Sequence, residues 1–276
     1  MTWPDKISEA KTSYESEQLA GFRRSQALAY QCAVAVELKL QVGMSERDAA
    51  ALLHDALAAR GVREYVHRPL AWFGARTAFA QFRQPLQLSA AKRLEPGMPV
   101  LLTVAPVVEG YASDSAYACR LGENALHAQM LADLEPYRQL ILDGVRAHKQ
   151  LTVIYRDVDR LIERQGYSHA PHRYRLAAPA PRVLFLPRVA RTKLRALPAL
   201  KQWFERATQA VRSDDERPAE PGLWAVAPQL AFRGVGVKWQ ELLVVTEHDA
   251  YWLDDDLPHV RRFGAHYNAQ RFEVLA

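Results

Sequence analysis

The side chains here that could attack, transfer a proton or hold a metal are aspartates, histidines, serines and two cysteines, and their spacing removes several chemistries at once. Cys32 and Cys119 form no CxxC pair and are too few for a disulfide framework or a structural zinc site, so both read as buried small hydrophobes. Cys119 follows Asp114 by five positions, which on an extended strand sets the two on opposite faces and argues against a Cys/His nucleophile. Ser113 and Ser168 lack any supporting pattern and no GxSxG occurs. Neither GxGxxG after a strand nor GxxxxGK is present, which leaves out the common dinucleotide and nucleoside-triphosphate cradles.

Composition sets the frame around those residues. The chain has 276 residues, 49% hydrophobic and 24% charged, enough for one large core or two fused halves. Its net charge of +5 is unevenly placed, because residues 150–204 hold eleven Arg or Lys against three Asp or Glu. No zinc-finger spacing or RNP-like motif accompanies that basic stretch, so a carboxylate or phosphate ligand, or a solvated face, explains it better than nucleic acid. No run of eighteen apolar residues appears and Met1 to Gln18 is polar, so the expectation is a cytoplasmic protein with no membrane span.

Periodicity then supplies the elements. Residues 21–42 place Phe22, Leu28, Ala29, Cys32, Val36 and Leu40 at helical spacing before Gly43. Ser45 and Asp48 form a capping box for a second helix lined by Ala49, Leu52, Leu53 and Leu57 and closed at Arg60 and Gly61. Val100 to Leu121 reads as two strands folded back through a connection containing Pro106. Helices follow over Ala125 to His148, kinked or split by Pro136, and over Leu151 to Arg164. His169 to Pro198 reads as irregular connections and short strands, Ala199 to Arg212 as helix, and LWAVAPQLAF, VKWQELLVVT and AYWL as terminal strands. This order is α+β, with two helix-then-strand halves; residues 1–20 are a polar leading segment, 21–260 a single domain and 261–276 a tail.

Five pieces in order resemble the pita-bread superfamily of methionine aminopeptidase, prolidase and creatinase. They are GMSERDAAALLHDALAARG, WFGARTAF, LEPGMPVLLTVAPVVEGYASD, the SHAPHRYR region, and PGLWAVAP with GVGVKWQELLVVTE. The resemblance implies a curved, antiparallel-rich sheet covered by helices, and in its peptidase members two metal ions held by two aspartates, one histidine and two glutamates. On this sequence those five slots fall at Thr103, Asp114, His172, Ala227 and Gln240. Pro171 replaces the glycine before the histidine, and Pro179 stands where the family keeps a second histidine. Two ions about 4 Å apart need several carboxylate oxygens, so one aspartate and one imidazole cannot hold them, and no metal or other cofactor is expected. Glu241 neighbours Gln240, but on a strand it faces the other way.

The resemblance further implies that Asp114 and His172 face one another across the former metal pocket as an acid/base pair. Thr103 and Gln240 would line that pocket, Arg173 or Arg175 would meet a ligand carboxylate, and His67 and Arg76 would stand at its mouth. Three readings remain open. The first is a metal-independent enzyme on a small amino-acid-like or amide-like molecule, by C–N hydrolysis, elimination or isomerisation. The second is a non-catalytic module binding a peptide, protein or metabolite, and the third a metallopeptidase with relocated ligands. A small-molecule ligand, able to carry a carboxylate, and a homodimer are the partners expected.

Overall fold

The computed structural model describes residues 16–79, 88–168 and 216–263. The polar leader to residue 15, the basic stretch from 169 and the tail from 264 lie outside the described residues.

Helix α1 (Ser16–Glu37) and helix α2 (Glu46–Ala58) open the fold. The capping box at α2 is as the sequence implies: Ser45 Oγ accepts from the Asp48 amide while the Asp48 carboxylate accepts from the Ser45 amide. Helix α1 departs from its expected bounds of 21–42, starting five residues sooner and stopping at Glu37. Its last turn tightens through Lys39 N to Val36 O and Leu40 N to Glu37 O, which buries Leu40 and leaves Leu38 83% exposed. At the other end Gly21 lies under the Tyr111 ring, where a Cβ would come within 2.5 Å of ring carbons.

The first sheet is antiparallel. Strand β2 (Pro99–Val108) is central, β1 (Glu64–Phe73) lies on one side, and β3 (Tyr111–Ala112) and β4 (Ser115–Arg120) lie on the other. Pro106 was expected in the connection; it sits within β2, opposite Tyr65. Its missing N–H is absorbed where the register slips between Tyr65 and His67, and its carbonyl still accepts from Ser113 N. The reversal falls instead at Glu109 and Gly110, both with positive φ, in a two-residue hairpin between Val108 and Tyr111.

Pro136 splits the next helical stretch into α3 (Ala125–Ala132) and α4 (Glu135–Arg146), and α5 spans Leu151–Arg164 as expected. Strands β5 (Gly222–Val226), β8 (Glu241–Val245) and β9 (Ala250–Trp252) make a second antiparallel sheet, and β6 (Gln229–Phe232) pairs with β7 (Val235–Lys238). Helices α1 and α2 bury one face of the first sheet around Val100, Leu102 and Val104. The largest cluster joins Leu101 and Trp72 from the other face to α3–α5, Trp224, Leu243 and Trp252. Phe22 of α1 packs with Leu223, Leu242 and Val244, tying the first helix to the second sheet. Residues 258–263 are helical and Phe263 is buried in the largest cluster.

Within this core α3 carries a fully buried histidine, His127. Burial, reinforced by the charges of Arg120 and Arg262, lowers its pKa to about 3. The unfolded chain therefore takes up a proton below about pH 6.5 that the folded chain refuses, and stability falls as the pH drops through this window. Between pH 7 and 5 the group should remove about 2 kcal/mol of stability. Urea unfolding of wild type and His127→Gln at both pH values should show the wild type losing that much more than the variant; equal losses would contradict it.

Candidate functional site

Backbone register alone gathers four of the five slots. Thr103 on β2 is paired with Ala116 on β4, and Ala116 is bridged to Gln240 between β7 and β8. Val226 is paired with Glu241 at the end of the β5–β8 ladder, and Ala227 directly follows the one as Gln240 directly precedes the other. Thr103, Ala116, Gln240 and Ala227 thus form a row running from the first sheet into the second, with Asp114 two residues before Ala116. The Tyr30 hydroxyl, reaching up from α1, lies 2.8 Å from the Gln240 carbonyl and 3.2 Å from that of Ala116, and clamps the bridge between the sheets. Burial keeps that phenol protonated.

Asp114 is the charged centre of the row. Its Oδ1 lies 3.4 Å from His67 Nε2, and both side chains are 28% exposed. His67 Nδ1 lies 2.8 Å from the Arg68 carbonyl, an atom that can only accept. With an acceptor at each ring nitrogen, the imidazole bonds best when both nitrogens carry a proton. Burial opposes that charge, but the hydrogen bond and charge of Asp114 raise its pKa above the ordinary histidine value. Burial likewise opposes the Asp114 carboxylate, and the His67 hydrogen bond and charge, the Lys238 ammonium and the Gln240 side chain together hold its pKa below the usual carboxylate range.

Lys238 was missed from the sequence. It is 7% exposed at the end of β7, its pKa lowered by burial and partly restored by Asp114. The signal was there: in GVGVKWQELLVVT a lone cation stands two positions before Gln240, on the same face of an otherwise apolar strand.

Other expected residues separate from this centre. Arg76 donates from Nε to Glu46 Oε1 at 2.7 Å, and Glu46 also accepts from the amides of Phe73 and Ser89, so the pair fastens α2 to the end of β1. Glu241 faces away from Gln240, as strand alternation requires. It is fully buried, gripped by Arg138 Nε at 2.8 Å and approached by His259 Nε2 at 3.0 Å. Cys32 and Cys119 are buried free thiols. His172, Arg173, Arg175 and Pro179 lie outside the described residues.

The sequence pattern of Metallopeptidase family M24 matches residues 20–247, most of the chain. The chain belongs to metallopeptidase family M24. No curated protein sequence matches it. Its fold is similar to that of X-Pro aminopeptidase from Thermotoga maritima MSB8, with a TM-score of 0.69 at 14% identity, covering 92% of this chain and 65% of that one. It is also similar to dipeptidase PepE from Mycobacterium ulcerans, with a TM-score of 0.68 at 18% identity over 92% of this chain and 62% of that one. Prolidase from Pyrococcus furiosus gives 0.66 at 16% identity, over 90% and 67%. The chain therefore spans 62–65% of the length of the first two, and carries the pita-bread fold expected from its motifs.

Among the described residues, the positions that the family resemblance assigns to metal ligands are poor in donors. The Thr103 hydroxyl is buried without a partner, Ala227 offers no donor, and Gln240 offers a neutral amide. Asp114, the carboxylate left in the row, already faces two cationic groups, His67 and Lys238. Among the described residues no group of three or more His, Cys, Asp or Glu could hold an ion. Compensation of this kind is measurable. Asp114→Asn, which strands both cations, should lower stability by about 2–3 kcal/mol, and adding Lys238→Met should recover much of it. Urea unfolding of both single variants and the double variant checks this; additive losses would mean the two groups do not interact.

Proposed function

We propose that this M24 member works without a metal pair, on a small amino-acid-like or amide-like molecule. In this reading His67 and Asp114 serve as its proton-transfer couple and Lys238 supplies the fixed positive charge of the pocket. The reading is supported by one observation: the Asp114 carboxylate lies 3.4 Å from the His67 ring and interacts with the buried Lys238 at the row where the family resemblance places the metal slots. His67, poised as an acid, would protonate a departing nitrogen or enolate oxygen, and Asp114 would stabilise the imidazolium before transfer. Lys238 and Gln240 would orient or polarise a carbonyl, and Thr103, with its unmet hydroxyl, would accept or donate a further hydrogen bond. In elimination or isomerisation Asp114 would also take up the proton the substrate loses, and in C–N hydrolysis the proton of a water that adds to the carbonyl carbon as the nitrogen leaves. His172, Arg173 and Arg175 remain candidates for the same pocket, the arginines for a ligand carboxylate, and Arg76 contributes through Glu46 rather than by contact.

A second reading, a non-catalytic module for a peptide, protein or metabolite, is favoured by the engagement of both His67 nitrogens, which leaves the ring no idle position. No described helix is long and apolar enough to cross a membrane. We place the protein in the cytoplasm, alone or as a homodimer.

A panel of amino-acid amides and other small amides, assayed with His67→Gln, Asp114→Asn and His172→Ala, separates the readings. Catalysis predicts that the first two variants lose roughly a hundredfold or more in turnover while a bound compound still raises the melting temperature. Loss in His172→Ala alone would move the couple to that imidazole. A module predicts no turnover in wild type and a ligand-induced melting shift that persists in the variants.

A further inference from the structure

A cavity of about 430 Å3 lies along the outer edge of β4, walled by α3 and by helical residues 258–263. Strand β4 pairs with β2 on one side; on the other, past its Ala116–Gln240 bridge, the sheet opens and the cavity begins. Two features of its walls point to a ligand.

The first is a concentration of unmet polar atoms. Nine buried side-chain nitrogens and oxygens among the described residues lack a hydrogen-bond partner, and five of them belong to Arg120, His127, Trp239 and His259. Arg120, Trp239 and His259 line the cavity, and His127 adjoins it on α3, close enough to feel both Arg120 and Arg262. Arg120 Nε and the Trp239 indole nitrogen are donors only, and whichever tautomer His127 adopts it carries one more. A donor left buried and unmet is costly, so four residues sharing that penalty around one hollow is an arrangement that an acceptor-rich occupant relieves.

The second is charge and shape. Arg262 is engaged by the Tyr117 hydroxyl, the Ala118 carbonyl and, at 3.7 Å, the Glu37 carboxylate. Glu241 nearby is taken by Arg138 and His259. Among the described residues Arg120 makes no ion pair, and the buried Lys238 also lines the cavity. Ala128, Leu131, Ala132 and Phe263 give it an apolar stretch of wall. A compact inorganic phosphate has no apolar body to cover that stretch.

We propose that this cavity binds a small organic carboxylate, its anionic head held by Arg120, the Trp239 indole N–H and His127 after modest side-chain rotation, its apolar body lying against α3 and Phe263. The cavity shares Lys238 and Ala116 with the Asp114 centre, and Trp239 lies between Lys238 and Gln240 in the chain.

The test uses the full chain labelled with 15N, the Trp239 indole resonance being assigned among six tryptophans by its loss in Trp239→Phe. The probes are 4-methylpentanoate, the isosteric 4-methylpentanamide and inorganic phosphate. The proposal predicts a saturable shift of the Trp239 indole signal with the carboxylate, and roughly tenfold weaker binding of the amide. Phosphate should give no saturation, and Arg120→Gln should weaken carboxylate binding by a similar factor. Equal affinity for acid and amide, tighter binding of phosphate, or no saturable response to any probe would overturn it. Should Arg120→Gln fail to fold, the three probes on wild type still decide.

Discussion

One carboxylate organises the centre of this molecule, and what surrounds it is set by the difficulty of burying charge. Asp114 sits where two sheets meet, and a buried anion must be balanced or protonated. In a two-ion site the balance comes from metal. Here it comes from His67, 47 positions away on the neighbouring β1, and from Lys238 on β7, with Gln240 adding a neutral hydrogen bond. The substitutions at Thr103, Ala227 and Gln240 belong to the same account. Once protein cations supply the positive charge, further carboxylates would be surplus anions in a buried row.

The scaffold around that centre is held by charge pairs that face outward from it. Glu46 with Arg76 joins α2 to the first sheet, and Glu241 with Arg138 and His259 joins α4 and helical residues 258–263 to the second. Each acid is fully buried, and each is met by a guanidinium together with further hydrogen bonds, the arrangement that makes a buried ion tolerable. Tyr30 completes the frame by fixing the single backbone bridge through which Gln240 reaches Ala116. Motion at this bridge would move Gln240 and Lys238 relative to Asp114, so the rigidity of α1 beneath it bears directly on the site.

Much of this was readable in the residues. Local signals gave the capping box at Ser45, the break at Pro136 and the full span of α5, because each depends on neighbours within a turn or two. The family resemblance assigned Thr103, Asp114, Ala227 and Gln240 to one pocket before any register was known. What escaped was non-local. Pro106 reads as a turn by propensity, yet a slip in the partner strand lets it stay inside β2. His67 was placed at the pocket mouth, but its pairing with Asp114 depends on the register between β1 and β2. Arg76 looked available to a ligand because nothing in WFGARTAF shows that Glu46 lies beneath it. Lys238 carried a signal, a cation in an apolar strand, that only becomes compelling when the carboxylate it faces is known.

The central claim is that protein cations, rather than metal, balance Asp114. Calorimetric titration of the metal-stripped chain with Mn2+, followed by elemental analysis after gel filtration, addresses it directly. The account predicts no tight binding and well under one ion retained per chain. Two ions retained per chain, displaced only by a strong chelator, would contradict it.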